Sequence, residues 1–447
     1  STFSKGSFTN LREESIYRDN MMDTIKELTS EKYRGRLTGT EGSHLAIQYL
    51  SQQFKDLGLE NPERLDNYMQ NYTQPTIVLK NKPVMQIVDK KGKVLEDFDY
   101  PENFVIRRLS SITDDIDIEV PLCYGEEYSM LIKESSETEG KAVLVPWKFY
   151  GLFGSQNNPE DLAKRCGASL AISEFDLSKN ELGYKHLKVT PFWGPWIYNM
   201  DYKPFVYVDS DTFAYLSEAA RIGNKVRFSC STVLNYGTKA VNVIGLIPGS
   251  DPVLKENYIL IGAHYDHVGD NMDGTYNFGA LDNATGVAAM LEIARVVSEN
   301  KIKPKQSIVF IAFDGEESGI NGSIHYVQNP LYPLSRSVMV NLDMVGAASE
   351  KSLSIAINEN SNTTQKRKLR DTFSEYADEL GIAYNTKFES GSDHLPFLVN
   401  NVPAVCLVDI DTSLGYHSPE DTIEVIDENR LEEAAKLILY YLDKNAY

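Results

Sequence analysis

Several acidic and imidazole side chains stand where a folded chain could gather them. His264-Tyr265-Asp266 follows the apolar run Tyr258–Ala263, Asp314-Gly315-Glu316-Glu317 follows Ser307–Phe313, and Asp343 follows Val338–Leu342. Three extended apolar runs therefore end in potential metal ligands, and open α/β sheets bind ligands at that carboxyl edge. Asp282 stands just before a helical pattern that starts near Thr285, and His417 lies in a loop after the last apolar run. Each residue alone has a plainer reading: Asp282 as a helix N-cap, Glu316-Glu317 as a solvated pair, His264 as an ordinary polar side chain. Yet the acidic pair sits between Gly315 and Gly319, a setting for a tight turn. Coincidences at five places are better explained by one site.

The elements that must position these residues follow from periodicity. Tyr17, Met21, Ile25 and Leu28 mark one face of a helix within 14–30, and Ala46, Leu50, Phe54 and Leu57 mark another within 42–57, which Gly58 stops. From about residue 239 strand and helix patterns alternate. Val241–Ile247, Tyr258–Ala263, Ser307–Phe313, Ser337–Leu342 and Val402–Val408 read as strands, a face of Val287, Met290, Leu291, Ala294 and Val297 as a helix, and Glu428–Lys444 as the last helix. That alternation predicts an α/β fold, a mainly parallel mixed sheet flanked by helices. Between 76 and 235 short β-like runs dominate, among them Val84–Val88, Ile118–Tyr124, Ala142–Val145, Leu170–Ser173 and Phe205–Val208. The simplest arrangement is one domain formed by 1–75 and 236–447, interrupted by a β-rich domain at 76–235.

Composition excludes several classes. The 447 residues carry 44 Lys+Arg against 64 Asp+Glu, a formal net charge of −20. Nucleic acid calls for a basic face, and an anionic membrane surface is excluded by the same sign. Hydrophobic residues at 42% rule out a disordered acidic chain, and no apolar run nears the roughly 18 residues that span a bilayer. Cys123, Cys166, Cys230 and Cys406 are scattered, which suggests buried thiols rather than a disulfide scaffold or a thiolate metal site. The start at Ser1-Thr2-Phe3 reads as a processed or trimmed terminus, so a signal peptide lies outside the chain.

The runs Gly262-Ala263-His264-Tyr265-Asp266-His267, Gly279-Ala280-Leu281-Asp282-Asn283-Ala284-Thr285-Gly286, Gly315-Glu316-Glu317-Ser318-Gly319, Asn341-Leu342-Asp343-Met344 and Tyr416-His417-Ser418-Pro419-Glu420-Asp421-Thr422 occur in one order. This series resembles the co-catalytic zinc aminopeptidases, which include bacterial leucyl aminopeptidases and aminopeptidase Y. Residues 34–42 resemble the N-terminal part of that family more weakly, and 76–235 resemble a protease-associated (PA) insert, notably at Gly140–Val145 and Ala168–Ser173. The resemblance implies two Zn²⁺ per chain. Asp282 would bridge them, His264 and Asp343 would complete one site, and Glu317 and His417 the other. It makes Glu316 the general base, Asp266 the group that orients His264, and Tyr416 a support for the oxyanion. It also implies a cis peptide at Asp282–Asn283. Ser390–His394 resembles the substrate-side loop, so Asp393 or His394 would line the pocket, and His394 is the alternative to His417 as ligand. His44, His186, His267 and His325 read as ordinary helix, loop or turn residues.

The chemistry suits that assignment. Imidazole and carboxylate are zinc ligands, and a catalytic site keeps one position for water. Three carboxylates with two neutral imidazoles offset most of the charge of two zinc ions, which at about 3.5–4 Å apart can clamp attacking and leaving oxygens. A ligand histidine needs its second nitrogen held, and a carboxylate beside activated water can move its proton to the leaving amine.

The expected activity is removal of N-terminal residues from peptides, by an exported enzyme. The glutamate carboxypeptidase branch, which shares fold and insert, uses arginines to hold a terminal carboxylate. From 236 onward the arginines are Arg295, Arg336, Arg367, Arg370 and Arg430, and none lies between Ser390 and His417. A non-enzymatic role, as in the related transferrin receptor ectodomain, conflicts with the complete ligand set. Glutaminyl cyclases lack the insert. Within the insert, Trp193 or Trp196 is expected to form an apolar lip over the metals.

Overall fold

The computed structural model describes residues 6–106, 112, 114–125, 137–146, 164–176, 203–271, 274–358, 364–386 and 391–447. The expected lip residues Trp193 and Trp196, together with Trp147 and His186, lie outside the described residues.

One eight-stranded sheet runs in the order Met69–Leu79, Thr232–Ile247, Ser307–Phe313, Tyr258–His264, Ser337–Asp343, Ala404–Val408, Leu353–Ala356, Tyr384–Asn385. Its four central strands, from Ser307–Phe313 to Ala404–Val408, are parallel to one another, and antiparallel pairings flank them on both sides. The fold is therefore α/β with a mixed, mainly parallel sheet, as the alternating pattern predicts. Strand side chains alternate between faces, and both faces are buried. Ile259, Ile261, Ala263, Ile308, Phe310 and Ala312 join the larger core with helices Arg18–Leu28, Glu41–Asp56, Thr285–Glu299 and Glu428–Asn445. Leu260, Val309, Ile311 and Phe313 point the other way, onto Tyr326 and Val327 of helix Asn321–Gln328 and Phe397 and Leu398 of helix Leu395–Val399. Burial on both faces explains why these strands read as unbroken apolar runs.

A second sheet runs in the order Val94–Phe98, Val84–Val88, Lys225–Cys230, Ile116–Tyr124, Ala142–Val145, Leu170–Glu174, Phe205–Val208, Phe104–Ile106. It has its own apolar core with helix Ser210–Arg221. That helix is absent from the β-like reading of 76–235; Asp209 caps it by accepting from the Thr212 N–H at 2.7 Å, and Phe213, Leu216 and Ala219 form its buried face. Met69–Leu79 and Thr232–Ile247 form one long antiparallel ribbon, with an irregularity between Gln74 and Thr76. The expected domain limits at 75/76 and 235/236 fall within it. No disulfide joins the four cysteines, of which Cys166, Cys230 and Cys406 are buried. Among the described residues no helix is long and apolar enough to cross a membrane.

Candidate metal centre

The site forms where the central strands end. His264 closes its strand, and the next residue is pinned beneath the sheet by the Tyr265 hydroxyl, which donates to the Val241 carbonyl at 2.7 Å. Asp266 then does two things. Its Oδ1 lies 3.2 Å from His264 Nδ1, and its two oxygens accept from the Glu316 and Glu317 N–H groups, each at 3.1 Å. One carboxylate thus fixes both the imidazole and the acidic turn. That turn needs Gly315, whose φ is +66° and where a Cβ would stand 2.1 Å from Gln74 Oε1.

Asp282 is not a helix cap. The Leu281 and Asp282 N–H groups donate to the Asp421 carboxylate at 2.8 and 3.1 Å, which aims the Asp282 side chain into the site. The Asp282–Asn283 peptide is cis. Asn283 anchors this corner to the neighbouring strand, donating to the Leu342 carbonyl at 2.8 Å and accepting from the Met344 N–H at 2.9 Å.

Two ligand groups result, one of His264, Glu316 and Asp343, the other of His267, Asp282, Glu317 and His417. Asp282 joins them: Oδ1 lies 3.4 Å from His264 Nε2, and Oδ2 lies 2.9 Å from His417 Nε2. His264 Nε2 is also 3.4 Å from Asp343 Oδ1 and 3.6 Å from Glu316 Oε2, and His417 Nε2 is 3.0 Å from Glu317 Oε2. Tyr416 stacks on the His417 ring, with centroids 3.9 Å apart. His394 is buried but belongs to neither group, and Asp393 accepts from Ser323 Oγ at 2.6 Å.

The donor set fits metal ions. With Nδ1 facing Asp266, His264 presents Nε2 inward, and that buried nitrogen has no hydrogen-bond partner. Asp343 Oδ1 is in the same condition, while Ser392 Oγ holds Asp343 Oδ2 at 2.6 Å. Buried polar atoms without partners are costly, and a cation among them removes the cost.

Sequence reasoning passed over four contributors. His267 was read as an ordinary turn residue, yet its Nδ1 lies 3.0 Å from Glu317 Oε1. The fully buried Arg36 donates to the carbonyls of Tyr265 (2.7 Å), Leu28 (2.6 Å), Phe278 (2.8 Å) and Gly279 (3.0 Å), tying residues 34–42 to both metal-facing loops. Asp314 accepts from Thr38 Oγ1 at 2.7 Å and from the Val241 N–H at 3.0 Å. Asp421 holds Asp282. The available signal was proximity in sequence, since His267 is three residues from His264 and Asp421 four from His417.

Electrostatics follow from burial. Burial, reinforced by Glu317, Asp343 and Asp393 against the opposing His264, lifts the Glu316 carboxyl well above its ordinary range. Burial also lifts Asp393 to about 7. Burial opposes a charged His417, but the carboxylates of Glu317 and Asp282 outweigh it and raise its pKa to about 10. Metal requires the neutral ring, so protons compete with metal up to that pH. Zinc affinity of the metal-free chain should rise between pH 6 and 9 by about tenfold per pH unit for each proton displaced. Calorimetry in buffers of different ionisation enthalpy will show proton release; binding that is flat with pH would contradict it.

Residues 242–442 match Peptidase family M28. That segment, less than half of the chain, is similar to peptidase family M28. The chain is 33% identical over 205 residues to aminopeptidase YwaD of Bacillus subtilis, covering 44% of this chain and 43% of that protein. A probable glutamate carboxypeptidase of Zea mays is 27% identical over 208 residues, covering 43% of this chain and 28% of that one. The chain thus matches less than half the length of either relative. The solved aminopeptidase from Aneurinibacillus sp. strain AM-1 superposes with a TM-score of 0.69 at 21% identity, over 97% of this chain and 95% of that one. This last likeness is one of fold, and it extends across the chain, second sheet included.

Proposed function

We propose that this chain is a two-zinc exopeptidase that hydrolyses the N-terminal peptide bond of peptides. The carrying observation is the placement of Asp282, whose two oxygens face the two imidazoles that head separate ligand groups. His264, Asp282 and Asp343 would hold one ion, and Asp282, Glu317 and His417 the other. Bound zinc supplies Lewis acidity to the attacking water and the scissile carbonyl. Glu316 takes the proton from that water and delivers it to the leaving amine; its raised pKa suits a group that must hold a proton and then release it. Asp266 keeps Glu316 and His264 in register through the contacts described above. Tyr416, stacked on His417, would donate to the developing oxyanion. In this reading Asp393 and His394 line the substrate side, and the chain divides into a catalytic unit of 1–75 with 236–447 and a PA-like insert at 76–235.

Substrate polarity favours the amino end. The site gathers carboxylates, which suit an α-ammonium. Arg36 is bonded to the metal-facing loops with its guanidinium engaged by four backbone carbonyls, and Arg34 pairs with Asp270. Arg295 pairs with Glu292 and Glu299, and Arg430 with Asp409. This supports an aminopeptidase over a carboxypeptidase that clamps a terminal carboxylate. A panel of aminoacyl anilides and peptides with C-terminal glutamate decides the point. Aminoacyl substrates should be cleaved, chelation should stop it, and acetylating the substrate amine should lower kcat/KM by about 10–100-fold, the worth of a charge-assisted contact. Preferential release of C-terminal glutamate would overturn the reading.

A further inference from the structure

His267 lies outside the ligand set that the M28 resemblance implies, yet the fold builds a place for it. Its ring is fully buried and packs on Gly279, where a Cβ would come within 2.6 Å of the ring atoms Cγ and Cδ2. Its backbone N–H donates to the Arg36 carbonyl at 3.2 Å. The His417 ring meets it edge-on, with centroids 5.5 Å apart. Held from these sides, the ring directs Nδ1 at Glu317 Oε1, 3.0 Å away, while Glu317 Oε2 faces His417.

We propose that His267 is a positioning residue of the second metal group: its Nδ1–H holds Glu317 Oε1, so that Glu317 offers Oε2 alone to the ion shared with Asp282 and His417. The inference rests on the two-zinc reading above. A direct ligand role fits less well. His267 Nδ1 is 4.0 Å from Asp282 Oδ2, beyond the roughly 3.4 Å between ligand atoms on a tetrahedral zinc with bonds of about 2.0–2.1 Å. A fourth protein ligand would also close the position a catalytic zinc keeps for water. A carboxylate with one oxygen already engaged cannot swing to bind through both, so His267 limits the coordination number of that ion.

The test compares wild type with H267N and H267Q, each stripped of metal and titrated with Zn²⁺ for affinity and with Co²⁺ for its absorption spectrum. The asparagine amide nitrogen can reproduce Nδ1, whereas the glutamine amide falls nearer the position of Nε2. H267N should keep both zinc constants within about threefold and leave the cobalt spectrum unchanged. H267Q should weaken one of the two constants by about 10–100-fold, the usual cost of losing a partner behind a ligand, and leave the other unchanged. Melting curves of the metal-free variants check the fold, and H267S, too short to reach Glu317, replaces H267Q if that variant melts early. Wild-type affinity in H267Q or H267S would overturn the proposal. So would an H267N variant that loses as much as H267Q and changes its cobalt spectrum, since His267 would then be a ligand. A wild-type chain that takes up no second zinc would overturn the two-zinc reading itself.

Discussion

Glu316→Gln will keep its metals and lose about 10²–10⁴-fold in kcat, the usual contribution of a positioned acid–base group. The amide fills the same volume and still accepts a hydrogen bond, but it cannot take a proton from water. Its backbone N–H stays on Asp266 at 3.1 Å, so the turn that presents Glu317 is kept. Glu316 Oε2 is 3.6 Å from His264 Nε2, just outside the tighter contacts that His264 makes with Asp282 and Asp343. Metal content should therefore hold while turnover falls. KM should change little, because the lost interaction belongs to the transition state. Wild-type turnover in Glu316→Gln would remove the general base from the mechanism. Loss of metal together with activity would instead make Glu316 a ligand.

Asp282→Asn will weaken metal binding at both groups, because one side chain serves both. The amide nitrogen must face one of two imidazoles, His264 Nε2 at 3.4 Å or His417 Nε2 at 2.9 Å, where a metal needs an anionic oxygen. Losses behind a ligand cost about 10–100-fold in affinity, so loss of a shared ligand should exceed 100-fold and turnover should fall to background. The fold should survive, because Asp421 holds residues 281 and 282 through their backbone N–H groups. Thermal melting separates the outcomes. Zinc at a hundredfold excess over its Kd should stabilise wild type by about 2.7 kcal/mol and leave Asp282→Asn nearly unmoved. An equal zinc-induced shift in both would show that Asp282 is not shared.

The candidate positions His264, Glu316-Glu317 and Asp343 are legible because each stands at the end of a strand buried on both faces, so an abrupt change from apolar to acidic or imidazole residues marks the sheet edge. Asp282 was legible from its motif rather than its periodicity, since its direction depends on a turn that Asp421 closes from 139 residues away. His267 was hidden for a similar reason. Nothing in the run His264–His267 says which way the ring of the fourth residue turns; Gly279, the Arg36 carbonyl and Glu317 decide it. The strand Met69–Leu79 escaped because its buried face is polar in its first half. Gln70, Tyr72 and Gln74 point inward, where Gln70 pairs with Asn242 and Gln74 donates to Ser318 Oγ at 2.7 Å beside the acidic turn. An alternation rule that expects apolar residues inside passes over such a strand. Helix Ser210–Arg221 had a legible cap and face, but the β-like runs around it masked the change of period.

Stepwise zinc addition to the chelated chain, with aminoacyl hydrolysis recorded at each step, tests the central claim most directly. Activity should be absent without metal, climb with zinc and reach its plateau at two equivalents per chain. Full activity in the chelated protein, or a plateau with no zinc bound, would contradict a two-zinc site centred on Asp282.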